Sequence, residues 1–182
     1  MDKKLIFTCL ITGIITTVVS GLLFLSGVFL FSLLGTFFIP GLLFGLVVST
    51  YFNDGESTHR FIFTIICSII YLFSAFITFY LNAATNYIVL AFYSTLTLPL
   101  ITLLFDSLIK KLENKKKSLT IALIGGFFSG IIIYALLHFI RLSNIINFQG
   151  ENGAFAETIT QLLIFPFWQT FFAFTIKLKN KG

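Results

Sequence analysis

Between Lys4 and Asp54 the chain runs without a charged side chain, and nearly all of that run, Leu5–Phe52, is apolar. A helix needs about 20 apolar residues to cross the hydrocarbon core of a bilayer, within a range of roughly 17 to 25. The run is too long for one crossing and suits two. A water-facing fold would need polar residues all round to cover it, and here they come only in short islands. Charged residues make up 10% of the 182 and hydrophobic ones 57%, against about 25% and roughly 45–50% in soluble domains. The class expected is an integral membrane protein.

The islands mark where crossings end. The long run breaks best at SGLLFLSG, residues 20–27, where two Ser-Gly pairs supply turn-compatible backbone. NDGESTHR (53–60) is a polar loop, and NAATN (82–86) a tight turn. DSLIKKLENKKKS (106–118) is a charged loop whose first half extends the preceding helix, and 142–156 is a polar connection. The fold expected is all-α, a single transmembrane domain over residues 1–182. It is a six-helix bundle with spans at about 5–22, 27–52, 61–81, 87–105, 119–141 and 157–176.

Lys and Arg are retained in cytoplasmic loops, which gives the bundle its orientation. Six crossings with a cytoplasmic N-terminus place residues 1–4, 53–60, 106–118 and 177–182 inside. With them go all 12 Lys and Arg residues except Arg141. Five crossings would separate the N-terminal lysines from the C-terminal ones, so both termini are expected in the cytosol. Tyr80 and Tyr87 then fall near the outer interface and Tyr51 near the inner one, where aromatic belts form. The first apolar stretch continues far past the roughly 7–15 residues of a signal-peptide core, and no cleaved leader is expected. The Lys-, Asn-, Ile- and Phe-rich usage suggests a low-GC bacterial genome, hence a multi-pass protein of the cytoplasmic (inner) cell membrane.

In lipid, small and polar residues indicate which helix faces meet. Thr8, Thr12, Thr16 and Ser20 repeat every four residues along the first span, widened by Gly13, Thr17 and Gly21. Gly41, Gly45 and Ser49 do the same in the second, just after Pro40, and predict a kink beside a close helix contact. In the fifth span Gly126, Ser129 or Gly130, Tyr134, His138 and Arg141 share a face that is small at its inner half and polar at its outer half. Helix packing is assigned to Thr12, Thr16, Gly41, Gly45, Gly126 and Gly130. The sixth span opens with Glu157 and Gln161 and carries Trp168 and Gln169 further in. Antiparallel packing of spans five and six would bring Arg141 to Glu157, with His138, Gln161 and Tyr134 alongside. Ionisable groups at membrane depth are a functional-site hypothesis by default, so these five residues form the candidate ligand-binding vestibule. Tyr71, Tyr93, Thr102 and Gln169 are further mid-span polar groups available to line a cavity, but periodicity alone does not orient them. Asp106 is spaced to meet Lys110 one turn on.

Much chemistry is excluded. Cys9 and Cys67 sit inside apolar runs and read as small core residues. Clustered metal ligands are lacking, since His59 and His138 fall on opposite sides of the membrane. No G-x-x-x-x-G-K-[ST] loop occurs. GGFFSG (125–130) departs from the Gly-x-Ser-Gly nucleophile motif of rhomboid proteases at Phe127, and the sixth span has no histidine to act as base. No catalytic residue, metal or cofactor is assigned, and the protein is not expected to be an enzyme. The basic residues flank hydrophobic spans, so nucleic acid is not an expected partner; membrane lipid is. The function expected is solute handling, by a small permease or a solute-binding transporter subunit. Its polar vestibule faces outward and suits an anionic small molecule. The alternative is a non-catalytic interaction protein, such as an assembly factor, complex subunit or immunity-type protector, bound to a protein partner or to a second copy of itself.

Overall fold

Asp2 starts the first helix. Its carboxylate accepts from the backbone amides of Lys4 and Leu5 at 3.0 and 3.2 Å, satisfying donors that have no partner within a helix's first turn. The computed structural model describes residues 2–27, 34–53, 56–80, 87–142 and 162–176, with side chains described in these except at 36–37, 75–80, 87–94 and 140–142. These residues form six α-helices: α1 (Lys3–Leu25), α2 (Ile39–Tyr51), α3 (Ser57–Tyr80), α4 (Tyr87–Leu108), α5 (Lys115–Leu142) and α6 (Ile164–Thr175). A π-helical turn, Leu34–Phe38, leads into α2. No strand occurs among the described residues. By length and composition α1, α3 and α5 are long and apolar enough to cross a membrane, which supports a membrane protein.

The first hairpin differs from the sequence expectation at its turn. The Ser20-Gly21 pair stays inside α1, which runs on to Leu25. The second pair, Ser26-Gly27, makes the turn, with Gly27 in the left-handed region at φ 67°. A tertiary bond explains the choice. The Ser20 hydroxyl, buried, donates to the Gly35 carbonyl at 2.7 Å. In the five-residue register of the π turn, the amide that would serve Gly35 belongs to Pro40, which has no N–H. Ser20 supplies the missing donor from the neighbouring helix. Pro40 and Pro166 both stand in the first turn of their helices, where a missing N–H costs little; Pro99 lies inside α4.

The helices pack as a ring in chain order. Each touches the next, and α6 closes the ring against α1 while also meeting α4. Small residues form the seams. A Cβ on Gly13 would run into the Pro166 backbone of α6. One on Gly41 would stand 2.6 Å from the Cys67 carbonyl and the Ser68 Cα of α3, and one on Gly45 2.8 Å from the Thr64 Cα. Such backbone approach is what holds helices together where lipid removes the hydrophobic drive.

Ring closure leaves α1 with two faces. Cys9, Thr12, Gly13, Thr16, Ser20 and Gly21 are buried, whereas Phe7, Ile14, Val18 and Leu22 are exposed. Exposed large apolar side chains recur on α3, α4 and α5 at Phe73, Leu100, Phe127 and Phe139. Among the described residues, so many large apolar side chains on the outside suit hydrocarbon and not water.

The start of α1 meets the end of α2, because the Tyr51 hydroxyl donates to Asp2 at 2.7 Å. The α4–α5 connection closes on Asp106, whose buried carboxylate accepts from the Leu112 amide at 2.8 Å and lies 3.4 Å from the Lys115 ammonium. Where the sequence spacing points to Lys110 one turn on, the structure adds a loop amide and Lys115, the first residue of α5.

Candidate functional site

The hydroxyls of this core mostly satisfy themselves. Thr12 donates to the Thr8 carbonyl, Thr64 to Arg60, Ser68 to Thr64, Thr102 to Leu98 and Ser129 to Gly125, each one turn back on its own helix. A short β-hydroxyl can reach that carbonyl. A glutamine amide or a phenol, carried farther from the backbone, meets instead whatever faces its helix.

Gln169 and Tyr71 are the two long polar side chains in this position. Gln169 lies on the α6 face that also buries Trp168, Phe172 and Ala173, and it is 0% exposed. Tyr71, on α3, is buried as well, and its hydroxyl faces the Gln169 amide. The two groups interact, yet neither the Tyr71 hydroxyl nor the nitrogen or oxygen of the Gln169 amide makes a well-formed hydrogen bond. The Thr16 hydroxyl, from the buried face of α1, is in the same condition. Burying such a group without a partner costs about 1–3 kcal/mol.

Aromatic rings wall this polar pair. Tyr71 and Trp168 meet edge-on with centroids 4.9 Å apart, and Phe44 of α2 meets Trp168 at 5.6 Å and Phe172 at 5.0 Å. Phe165 lies 5.9 Å from Tyr71 on another side. Cys9 and Cys67 are buried in the same core as Tyr71. Three helices, α2, α3 and α6, thus converge on one neutral locus. Asp106 is the one buried charged side chain among the described residues, and it is engaged at the end of α4. Groups of three or more His, Cys, Asp or Glu side chains that could hold a metal are lacking among the described residues.

The vestibule residues are placed unevenly. Tyr134 and His138 are exposed and stack on each other one turn apart, with centroids at 5.9 Å and planes at 17°. The buried face of α5 passes through Ala122, Gly126, Ser129, Gly130, Ile133 and Leu137. It includes the small inner residues of the expected stripe and leaves Tyr134 and His138 at its edge. Arg141 is within α5, but its side chain lies outside the described residues, as do Glu157 and Gln161. The Tyr93 side chain is outside them too, and Thr102 faces Thr175 of α6 at 3.4 Å. Of the mid-span polar groups singled out in the sequence, the structure brings Tyr71 and Gln169 together. Their partnership was missed because it depends on how α3 and α6 rotate in the ring. The signal available was the length of the two side chains, too long to bond back to their own helices.

No family model matches the chain, and no curated protein or solved structure matches it.

Proposed function

We propose that the chain is a small permease of a bacterial cytoplasmic membrane, with six spans and both termini in the cytosol. Solute is collected at an outer vestibule formed by Arg141, Glu157, Gln161, His138 and Tyr134, and is held in passage at the centre of the helix ring. One observation carries this reading. A core free to be wholly apolar instead keeps the Gln169 amide and the Tyr71 hydroxyl buried without well-formed hydrogen bonds. Polar groups held at membrane depth against their own stability mark solute pathways. The alternating helix directions agree with the distribution of lysines, since Lys3, Lys4, Arg60, Lys110, Lys111 and Lys115 all belong to one end of the ring. This chain carries no nucleotide-binding loop, so its energy comes from an ion gradient or from a partner.

The test is reconstitution of the full-length protein into liposomes and a flux screen over charged and uncharged small solutes. At least one solute is expected to cross faster than through protein-free vesicles, and Arg141→Ala is expected to slow its entry. A screen in which nothing crosses faster would overturn the permease reading.

A further inference from the structure

We infer that the Gln169–Tyr71 locus binds a small uncharged solute carrying both hydrogen-bond donors and acceptors, of the amide or polyol class. This deepens the permease reading and rests on it. The Gln169 amide offers two N–H donors and a carbonyl acceptor, and the Tyr71 phenol can act as either. These functions are at most partly filled: the hydroxyl of Tyr71 and the amide of Gln169 approach one another, yet none of their polar atoms makes a well-formed hydrogen bond. Gln169 is 0% and Tyr71 7% exposed, and they face one another from separate helices. A solute that both donates and accepts would complete the pair in a single step.

Charge decides the class. An ion entering the core would lose its hydration, and replacing it takes an opposite charge or a shell of several dipoles. The locus provides two neutral groups, among rings from Phe44, Phe165 and Trp168. The buried Asp106 already faces Leu112 and Lys115 at the end of α4. A neutral solute needs only the exchange of its own hydrogen bonds with water for those to the protein. The aromatic walls limit its size and contribute flat contact surface. The vestibule can collect solutes of either kind; the ring's centre accepts the uncharged ones.

The experiment measures solute entry into liposomes holding the full-length protein, by light scattering after rapid mixing. Acetamide and glycerol are the uncharged probes, formate and phosphate the charged ones. Wild-type protein is expected to admit acetamide or glycerol well above the protein-free rate. Tyr71→Phe and Gln169→Leu are each expected to lower that excess by about tenfold, the loss of one good hydrogen bond at 1.4 kcal/mol per decade. Tyr71→Phe keeps the shape of the ring, so it remains informative if Gln169→Leu does not fold. Entry of formate or phosphate alone would overturn the uncharged class while leaving a permease. Uncharged entry that both folded variants leave unchanged would overturn the site. No entry of any probe would overturn the inference, and the wider flux screen then decides the permease reading separately.

Discussion

At the α2–α3 seam, Gly41 and Gly45 set backbone against backbone, and Ser49, Thr64 and Ser68 each have a carbonyl within hydrogen-bonding distance. Phe44 of the same helix packs on Trp168, beside a glutamine and a tyrosine whose polar atoms make no well-formed hydrogen bond. At the seam those hydroxyls are satisfied, and a Cβ at Gly41 or Gly45 has no room. The centre is walled by rings and has polar demand left over. In a protein selected only to persist, both regions would resemble the seam, because an apolar residue at 169 would pack there without a poorly bonded amide. The two regions should therefore answer mutation with opposite signs.

The largest effect is expected at the seam. Gly41→Val would press a branched side chain onto the Cys67–Ser68 backbone and destabilise by about 3 kcal/mol. Thermal unfolding in detergent checks this; an unchanged midpoint would mean the helices are free to move apart. Next comes the closure of the α4–α5 connection. Asp106→Ala leaves the buried Leu112 amide without an acceptor and should cost about 2 kcal/mol. The exposed Lys115 returns to water at little cost. Limited proteolysis at the lysine-rich connection should accelerate accordingly.

At the centre the sign reverses. Tyr71→Phe removes a poorly bonded hydroxyl while keeping the ring, and should raise stability by about 1 kcal/mol as it lowers solute entry. A fall in stability would show that the hydroxyl is satisfied in the membrane. The smallest effect belongs to the helix start. Asp2→Ala removes the cap of α1 and the contact to Tyr51, costing about 1 kcal/mol or less at this exposed site. The Tyr51 hydroxyl, with the Leu5 and Lys4 amides, holds the Asp2 carboxyl below its ordinary value of 3.8. A depressed carboxylate stabilises the fold above that value, so its contribution is retained at neutral pH and lost as pH falls below 3.8. Acid unfolding of Asp2→Ala should lack that component.

Much of the architecture was legible because the bilayer leaves a polypeptide few options. The uncharged Leu5–Phe52 run, the lysine-rich islands and the four-residue stripes of Gly and Thr pointed to helices and to the residues between them. What could not be read depends on contacts between distant residues. Ser20-Gly21 looks like a turn in isolation, and remains helical because Ser20 serves a carbonyl fifteen residues on. Asp106 reads as half of an i,i+4 pair, and that spacing gives no sign of the Leu112 amide and the Lys115 ammonium that reach it from beyond its helix. Tyr71 and Gln169 are visible as polar residues within apolar runs, but nearly a hundred residues separate them in the chain. Only the ring, closed by α6, turns them toward each other.

The most direct measurement is the unfolding midpoint of full-length Gln169→Leu beside wild type, in the same detergent and without added solute. Leucine fills much of the same volume and carries no polar atom, so a rise in midpoint is expected if the buried amide is held for a ligand. A clear fall would mean that the amide is satisfied within the protein and stabilises it, and the ring's centre would then be structure and not a site.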